Sequence, residues 1–186
     1  MKTVPTLHTE RLILRAFTFD DAQDVQRLAG ERDIAATTSN LPHPYEDGMA
    51  ETWINTHSPR LEEGKGVVWA ITLKVDDSYT DTILIGAIDI NVDKAEKIGE
   101  LGYWIGKPYW NSGYCSEAAK AVLNYGLDVL KLKSIHAFYF AKNPASGRVM
   151  QKIGMKFEER FPKAVEKWGV LEDIIKYNIQ NKTADV

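Results

Sequence analysis

Apolar and polar residues alternate with a period of two along two central segments of the chain, which is the pattern of β-strands with one buried face. One segment carries Val67, Trp69, Ile71, Leu73 and Val75, and the other carries Leu84, Gly86, Ile88, Ile90 and Val92. Because only the polar residues 76–81 separate them, we expect an antiparallel hairpin with its loop there. Further strands are predicted at residues 11–17, 98–106, 135–142, 156–160 and 170–179.

Helical signals fall between these strands. A helix is predicted from Phe19 to about Ala29, because acidic residues in its first turn favour the positive end of the helix dipole. Two more are predicted at residues 46–63 and 116–131, the second with one polar and one apolar face. A short helix then begins at Asn143 as N-cap and Pro144 as first residue, and Gly154 closes it.

The order strand, helix, strand over residues 98–142 predicts a right-handed crossover between two parallel strands. We therefore expect an α/β fold with a mixed sheet (α+β), of about seven mostly antiparallel strands and about four flanking helices. The 186 residues, 44% of them apolar, fit one domain spanning residues 1–186.

The charge balance excludes some classes of partner. The 23 basic and 26 acidic residues leave a formal charge of −3, so no general attraction to nucleic acid or to an anionic membrane is expected. The N-terminus lacks the apolar region of a signal peptide, and the apolar runs are too short to cross a bilayer, which predicts a cytoplasmic protein. Cys115 is the single cysteine, and the histidines have no metal-ligand spacing, so neither an intrachain disulfide nor a metal site is expected.

The stretch KPYWNSGYCSEAA, residues 107–119, connects a predicted strand to a predicted helix. It ends in backbone amides that lead directly into the helix N-terminus, a geometry that suits an anion. Gly113 has no Cβ, which lets the backbone approach a ligand or adopt positive φ, although a glycine before a helix is also ordinary turn chemistry.

Four segments together resemble the GNAT superfamily of acetyl-CoA-dependent N-acetyltransferases. They are TERLILR at residues 9–15, GYWI at residues 102–105, the loop WNSGYC at residues 110–115 and NPAS at residues 143–146. The combination is similar to the ribosomal-protein N-terminal-alanine acetyltransferase branch (RimJ/RimL type). The resemblance implies a GNAT-like fold with a central pair of splayed parallel strands, acetyl-CoA as cosubstrate, an amine acceptor such as a protein N-terminus, and possible homodimer formation.

The resemblance also implies which residues contact acetyl-CoA. The implied diphosphate loop is Asn111, Ser112, Gly113, Tyr114, Cys115 and Ser116, the pantetheine would pair with the strand end Trp104, Ile105 and Gly106, and Asn143 would bond the cosubstrate. The loop departs from the usual side chains at several positions, which backbone N–H groups can tolerate. Asn143 could equally cap the following helix. We favour Cys115 as a small residue under the helix start over a reactive thiol.

For the chemistry, the resemblance places a general base at Glu100, with a structural ion pair as the competing interpretation. The period of two places Glu100, Gly102 and Trp104 on one face of their strand and Leu101, Tyr103 and Ile105 on the other. Where many family members have a proton-donating tyrosine this chain has Met150. The resemblance instead implies Ser146 as the acid, because it matches the serine that this branch has three residues after the asparagine, although its hydroxyl could instead bond backbone. Backbone N–H groups of residues 104–106 could polarise the thioester carbonyl.

The leading hypothesis is acetyl transfer to the α-amine of a protein, in particular a ribosomal one. One alternative keeps the chemistry and uses a small amine, a polyamine or an aminoglycoside. The other is a CoA-binding module without turnover, suggested by Met150 and by the altered loop.

Overall fold

The computed structural model of the protein describes residues 2–75 and 82–182 and contains one mixed sheet. Eight strands lie in the order β1-β2-β3-β4-β5-β6-β8-β7, and every neighbouring pair is antiparallel except β5 and β6. The strands are β1 (Leu7–His8), β2 (Leu12–Arg15), β3 (Gly66–Lys74), β4 (Thr82–Asp93), β5 (Ile98–Ile105), β6 (Ser134–Phe140), β7 (Lys156–Lys167) and β8 (Val170–Gln180). The helices are α1 (Ala22–Ala29), α2 (Arg32–Thr37), α3 (Met49–Asn55), α4 (His57–Glu62), α5 (Tyr114–Asn124) and α6 (Pro144–Lys152).

The alternation along the strands produces a buried layer on each face of the sheet. On one face, Trp69 and Ile71 of β3 pack with Val122 of α5 and with residues beside α6. On the other face, Ala70 of β3 packs with Leu28 of α1 and Ala50 of α3. The predicted class, a mixed α/β sheet with a parallel pair and helices on its faces, is confirmed.

Several predicted boundaries were wrong, for identifiable reasons. The single helix expected at residues 46–63 is two helices, α3 and α4, because Pro59 has no N–H to bond and its ring would clash with the carbonyl of Asn55. The strand count is eight and not about seven, since β1 is only two residues long and shows no period. α2 was not predicted, and it is also short, at six residues. The expected loop at residues 76–81 lies outside the described residues.

The long helix begins earlier and ends differently from the prediction. α5 starts at Tyr114, directly after Gly113, and a π-helix over Tyr125–Val129 follows it without a break. β7 extends to Lys167, but its register shifts twice, after Phe157 and after Phe161, which hides the alternation in the sequence.

The feature that positions the site is the separation of the two parallel strands. Their pairing runs from Ile98 opposite Ser134 to Glu100 opposite His136 and extends no further among the described residues. β5 continues along β4 to Ile105, while β6 continues along β8 to Phe140. The sheet therefore opens into a gap between the C-terminal halves of β5 and β6.

Candidate active site

A groove of about 850 Å³ lies at this gap. Ten of the twelve residues predicted for the site line it: Glu100, Trp104, Ile105, Asn111, Gly113, Tyr114, Cys115, Ser116, Asn143 and Ser146. Gly106 and Ser112 do not line it. The structure thus brings together residues from β5, the following loop, α5 and α6.

The loop before α5 has the backbone that the anion hypothesis requires. Gly113 is the N-cap of α5 at φ 83°, in the left-handed region that favours glycine, and Asn111 lies at φ 61°. The N–H groups of Tyr114, Cys115 and Ser116 form the first turn of an eleven-residue helix, so they have no carbonyl acceptor within that helix. This arrangement fits the diphosphate of acetyl-CoA.

Arg11 holds this loop in place, a role that the sequence analysis missed. Its Nη1 donates to the carbonyl of Ser112 at 3.0 Å, its Nη2 lies 2.7 Å from a carboxylate oxygen of Glu117, and its guanidinium lies 4.5 Å from the ring centre of Tyr114. Burial alone would raise the pKa of Glu117, but hydrogen bonds from Thr9 and Arg11 hold that pKa below its ordinary value. A basic side chain from the residue before β2 thus lies beside residues 110–115, which have none of their own.

The strand end offers fewer free backbone groups than we expected. The N–H of Gly106 donates to the carbonyl of Ile85 at 2.8 Å, so it is not available to polarise a thioester carbonyl. Adjacent residues of a strand turn their backbone groups to opposite edges. Since Gly106 bonds to β4, Trp104, two residues earlier, also faces β4. Tyr103 and Ile105 therefore present their backbone to the gap. The carbonyl of Ile105 accepts the indole N–H of Trp110 at 2.6 Å.

Glu100 lies at the point where β5 and β6 separate, with its side chain 48% exposed. Its Oε2 lies 3.2 Å from Nε2 of His136, directly across the parallel pair. The hydrogen bond with His136 lowers the pKa of Glu100 below its ordinary value, more than burial raises it. The sequence carried no signal for this partner, because His136 is 36 residues away and its register was unknown.

A second acidic group lies on the same side of the groove. Asp89 is opposite Gly102 on the neighbouring strand, and a Cβ on Gly102 would lie 2.6 Å from its Oδ1. Arg60 of α4 donates to Asp89 Oδ2 at 2.8 Å and also bonds Asn91. Burial raises the pKa of Asp89, although Arg60 opposes this. The missing side chain of Gly102 thus makes room for a paired carboxylate.

Asn143, Ser146 and Met150 lie on α6. Asn143 is the N-cap of α6 and Pro144 its first residue, as predicted. Within the described residues the side chain of Asn143 makes no cap hydrogen bond, and it lines the groove. Ser146 Oγ lies 3.0 Å from the hydroxyl of Tyr103. Met150 is 1% exposed and belongs to the core.

Cys115 is half-buried at the start of α5 and also lines the groove. Burial raises the pKa of its thiol to about 12, so it stays protonated at neutral pH. The described residues contain no group of three or more metal-ligating side chains and no helix long and apolar enough to cross a membrane.

Comparisons with known proteins agree with this geometry. A family model described as an acetyltransferase (GNAT) domain matches residues 11–156. The chain is 33% identical over 159 residues to the uncharacterized N-acetyltransferase YnaD of Bacillus subtilis, covering 86% of this chain and 87% of that protein. The crystal structure of a GNAT-family acetyltransferase from Bacillus anthracis is 29% identical, with a TM-score of 0.81 and coverage of 96% and 99%.

Two more distant solved structures share the fold alone. RimL, the ribosomal L7/L12 α-N-protein acetyltransferase in complex with CoA, is 14% identical with a TM-score of 0.79, and the match covers 96% of this chain and 98% of that one. The spermidine N-acetyltransferase of Vibrio cholerae, in complex with CoA and spermine, is 16% identical with a TM-score of 0.79, and the match covers 96% and 100%.

Proposed function

The chain belongs to the GNAT acetyltransferase family and is an acetyl-CoA-dependent N-acetyltransferase, and we propose that its acceptor is the N-terminal α-amine of a protein. Acetyl-CoA supplies the acetyl group as an activated thioester. The diphosphate fits the N-terminus of α5 and the loop that Arg11 holds, and the pantetheine fits the gap where Tyr103 and Ile105 present their backbone. Asn143, which lines the groove at the start of α6, is the proposed side-chain partner of the cosubstrate.

Glu100 is the proposed base and Ser146 the proposed acid. The acceptor ammonium first loses one proton to solvent and becomes a neutral amine. The lone pair of that amine attacks the thioester carbon, and Glu100 takes the second proton from the nitrogen as the amide forms. As the carbon–sulfur bond breaks, its electron pair moves to sulfur, and Ser146 gives its hydroxyl proton to that sulfur. Solvent in the groove returns a proton to Ser146 and removes one from Glu100, so the two transfers balance.

The observation that carries the choice of acceptor is the contact between Glu100 and His136. Because this hydrogen bond lowers the pKa of Glu100, the carboxylate is a weak base. With ordinary pKa values of about 7.7 for an α-amine and about 10.4 for lysine, deprotonation at pH 7 costs roughly 1 kcal/mol and roughly 4.6 kcal/mol respectively. A weak base fits the α-amine. The similarity of residues 102–105 and 143–146 to the ribosomal-protein branch supports the same choice.

A small polyamine is the second candidate. Asp89 and Glu100 both line the groove, and the coulombic effect of Glu100 contributes to the raised pKa of Asp89, so the two carboxylates influence each other. Such a pair could attract a polycation, although Arg60 is paired with Asp89 and offsets one of the two charges.

The test compares three acceptors by thiol release: a peptide with a free N-terminal alanine, the same peptide blocked at its N-terminus but carrying a lysine, and spermidine. We expect kcat/KM to be highest for the free N-terminus. A preference of more than about tenfold for lysine or spermidine, equivalent to about 1.4 kcal/mol, would contradict the proposed acceptor. Acetyl-CoA binding by calorimetry without thiol release from any amine would instead indicate a CoA-binding module.

A further inference from the structure

Ser146 occupies the third position of α6, and the structure joins it to a tyrosine from a different element. The hydroxyl of Tyr103, on β5, lies 3.0 Å from Ser146 Oγ and 3.1 Å from the Ser146 carbonyl oxygen. Both residues line the groove. The position at which many family members have a tyrosine is filled by the buried Met150. The tyrosine hydroxyl here comes from Tyr103, 43 residues before Ser146.

We propose that Tyr103 is a positioning residue that enables Ser146 to donate its proton to the leaving sulfur. The inference rests on the proposed role of Ser146 as the acid. It adds a tyrosine that acts through the serine and does not itself touch the acetyl group.

The hydroxyl protons of Tyr103 and Ser146 are enough to satisfy both contacts. The tyrosine has one hydroxyl proton and Ser146 Oγ has one, while the Ser146 carbonyl has none. At rest, Tyr103 donates to the carbonyl and Ser146 donates to the tyrosine oxygen, which satisfies both contacts. When negative charge develops on the sulfur, the charged acceptor competes successfully for the serine proton, because charge-assisted hydrogen bonds are the stronger ones.

The tyrosine proton then turns from the carbonyl to Ser146 Oγ. The carbonyl of Ser146 keeps a hydrogen bond when the tyrosine proton leaves it, because in an α-helix it also accepts from the N–H of Met150, four residues later. A hydrogen bond from Tyr103 stabilises Oγ while its own proton moves to sulfur, which makes the serine a better acid. Tyr103 keeps its proton throughout, because burial raises its pKa well above the ordinary value.

The experiment is a double-mutant cycle on kcat with acetyl-CoA and the best acceptor. We expect Ser146→Ala to lower kcat about a hundredfold and Tyr103→Phe about tenfold, the latter corresponding to about 1.4 kcal/mol. The double variant should be no slower than Ser146→Ala alone, because Tyr103 acts only through the serine. The calorimetric Kd of acetyl-CoA should stay within about twofold of wild type in all three, which a merely structural loss would not preserve.

Tyr177→Phe is the matched control. The Tyr177 hydroxyl also bonds a side chain of α6, accepting from Nε2 of Gln151 at 2.9 Å, but Tyr177 is not among the residues that line the groove, so its removal should leave kcat within about twofold. If Ser146→Ala lowers kcat while Tyr103→Phe does not, or if the two effects add, the inference about Tyr103 is wrong and the acid assignment stands. If Ser146→Ala leaves kcat unchanged, the acid assignment itself is wrong and the inference fails with it.

Discussion

His57 is buried with its ring against aromatic residues, and it makes the stability of the fold depend on pH. It is 8% exposed, its ring centre lies 4.4 Å from that of Trp53 and 5.3 Å from that of Phe17, and neither ring nitrogen has a hydrogen-bond partner among the described residues. Burial, aided by the positive charge of Arg60, lowers the pKa of His57 to about 4.

The lowered pKa of His57 determines whether stability rises or falls with pH. The folded state favours the neutral ring, so the unfolded chain binds more protons between about pH 6.5 and about pH 4. The contribution of His57 to stability is therefore complete above about pH 6.5 and is lost as the pH falls toward 4. Between pH 7.5 and pH 5, two-state linkage with these two pKa values gives a loss of about 2 kcal/mol.

The perturbation is His57→Phe, which keeps an aromatic ring among Trp53 and Phe17 and removes the titrating group. Urea unfolding at pH 7.5 and at pH 5 measures the free energy of unfolding of wild type and variant. We expect the variant to lose about 2 kcal/mol less than wild type between the two pH values. The control is His43→Asn, which removes an exposed histidine. Its loss in the free energy of unfolding between the two pH values should equal that of wild type. Equal losses in wild type and in His57→Phe would refute the reasoning.

Two further predictions concern the groove. Gly113→Val should weaken acetyl-CoA binding more than tenfold by calorimetry, since a β-branched residue is strained at φ 83° and this strain falls within the groove. Gly169→Val is the control: it has the same backbone strain, at φ 77°, but lies away from the groove, and an added Cβ there meets no atom within 4 Å. It should bind acetyl-CoA as wild type does. Glu100→Gln should lower turnover at pH 7 by about a hundredfold and recover in part at alkaline pH, where more of the amine is already neutral, whereas a uniform loss across the pH profile would indicate a structural role.

Local pattern was enough to predict most of the architecture. The period-two segments predicted β3 and β4, and the strand-helix-strand order predicted the parallel pair β5 and β6. The amphipathic pattern predicted the helix α5, although it starts at Tyr114 and not at Ser116. These features depend on residues close together in the chain, whose periodicity reports which side is buried. The prediction failed where local signals are weak or interrupted, as at the two residues of β1, at Pro59 and at the bulges of β7.

The partners of the candidate catalytic groups were decided only by the tertiary structure. Which residue lies opposite Glu100 depends on the register of β5 on β6, and a shift by one residue would turn His136 to the other face of the sheet. Tyr103 meets Ser146 only because α6 packs over the gap, and Arg11 meets Ser112 only because β2 passes beside the start of α5. The sequence alone determined the residue types available to the site and the elements that carry them. The contacts between those elements depend on strand order and helix packing, which no local pattern encodes, so the tertiary structure alone decided how the site is assembled.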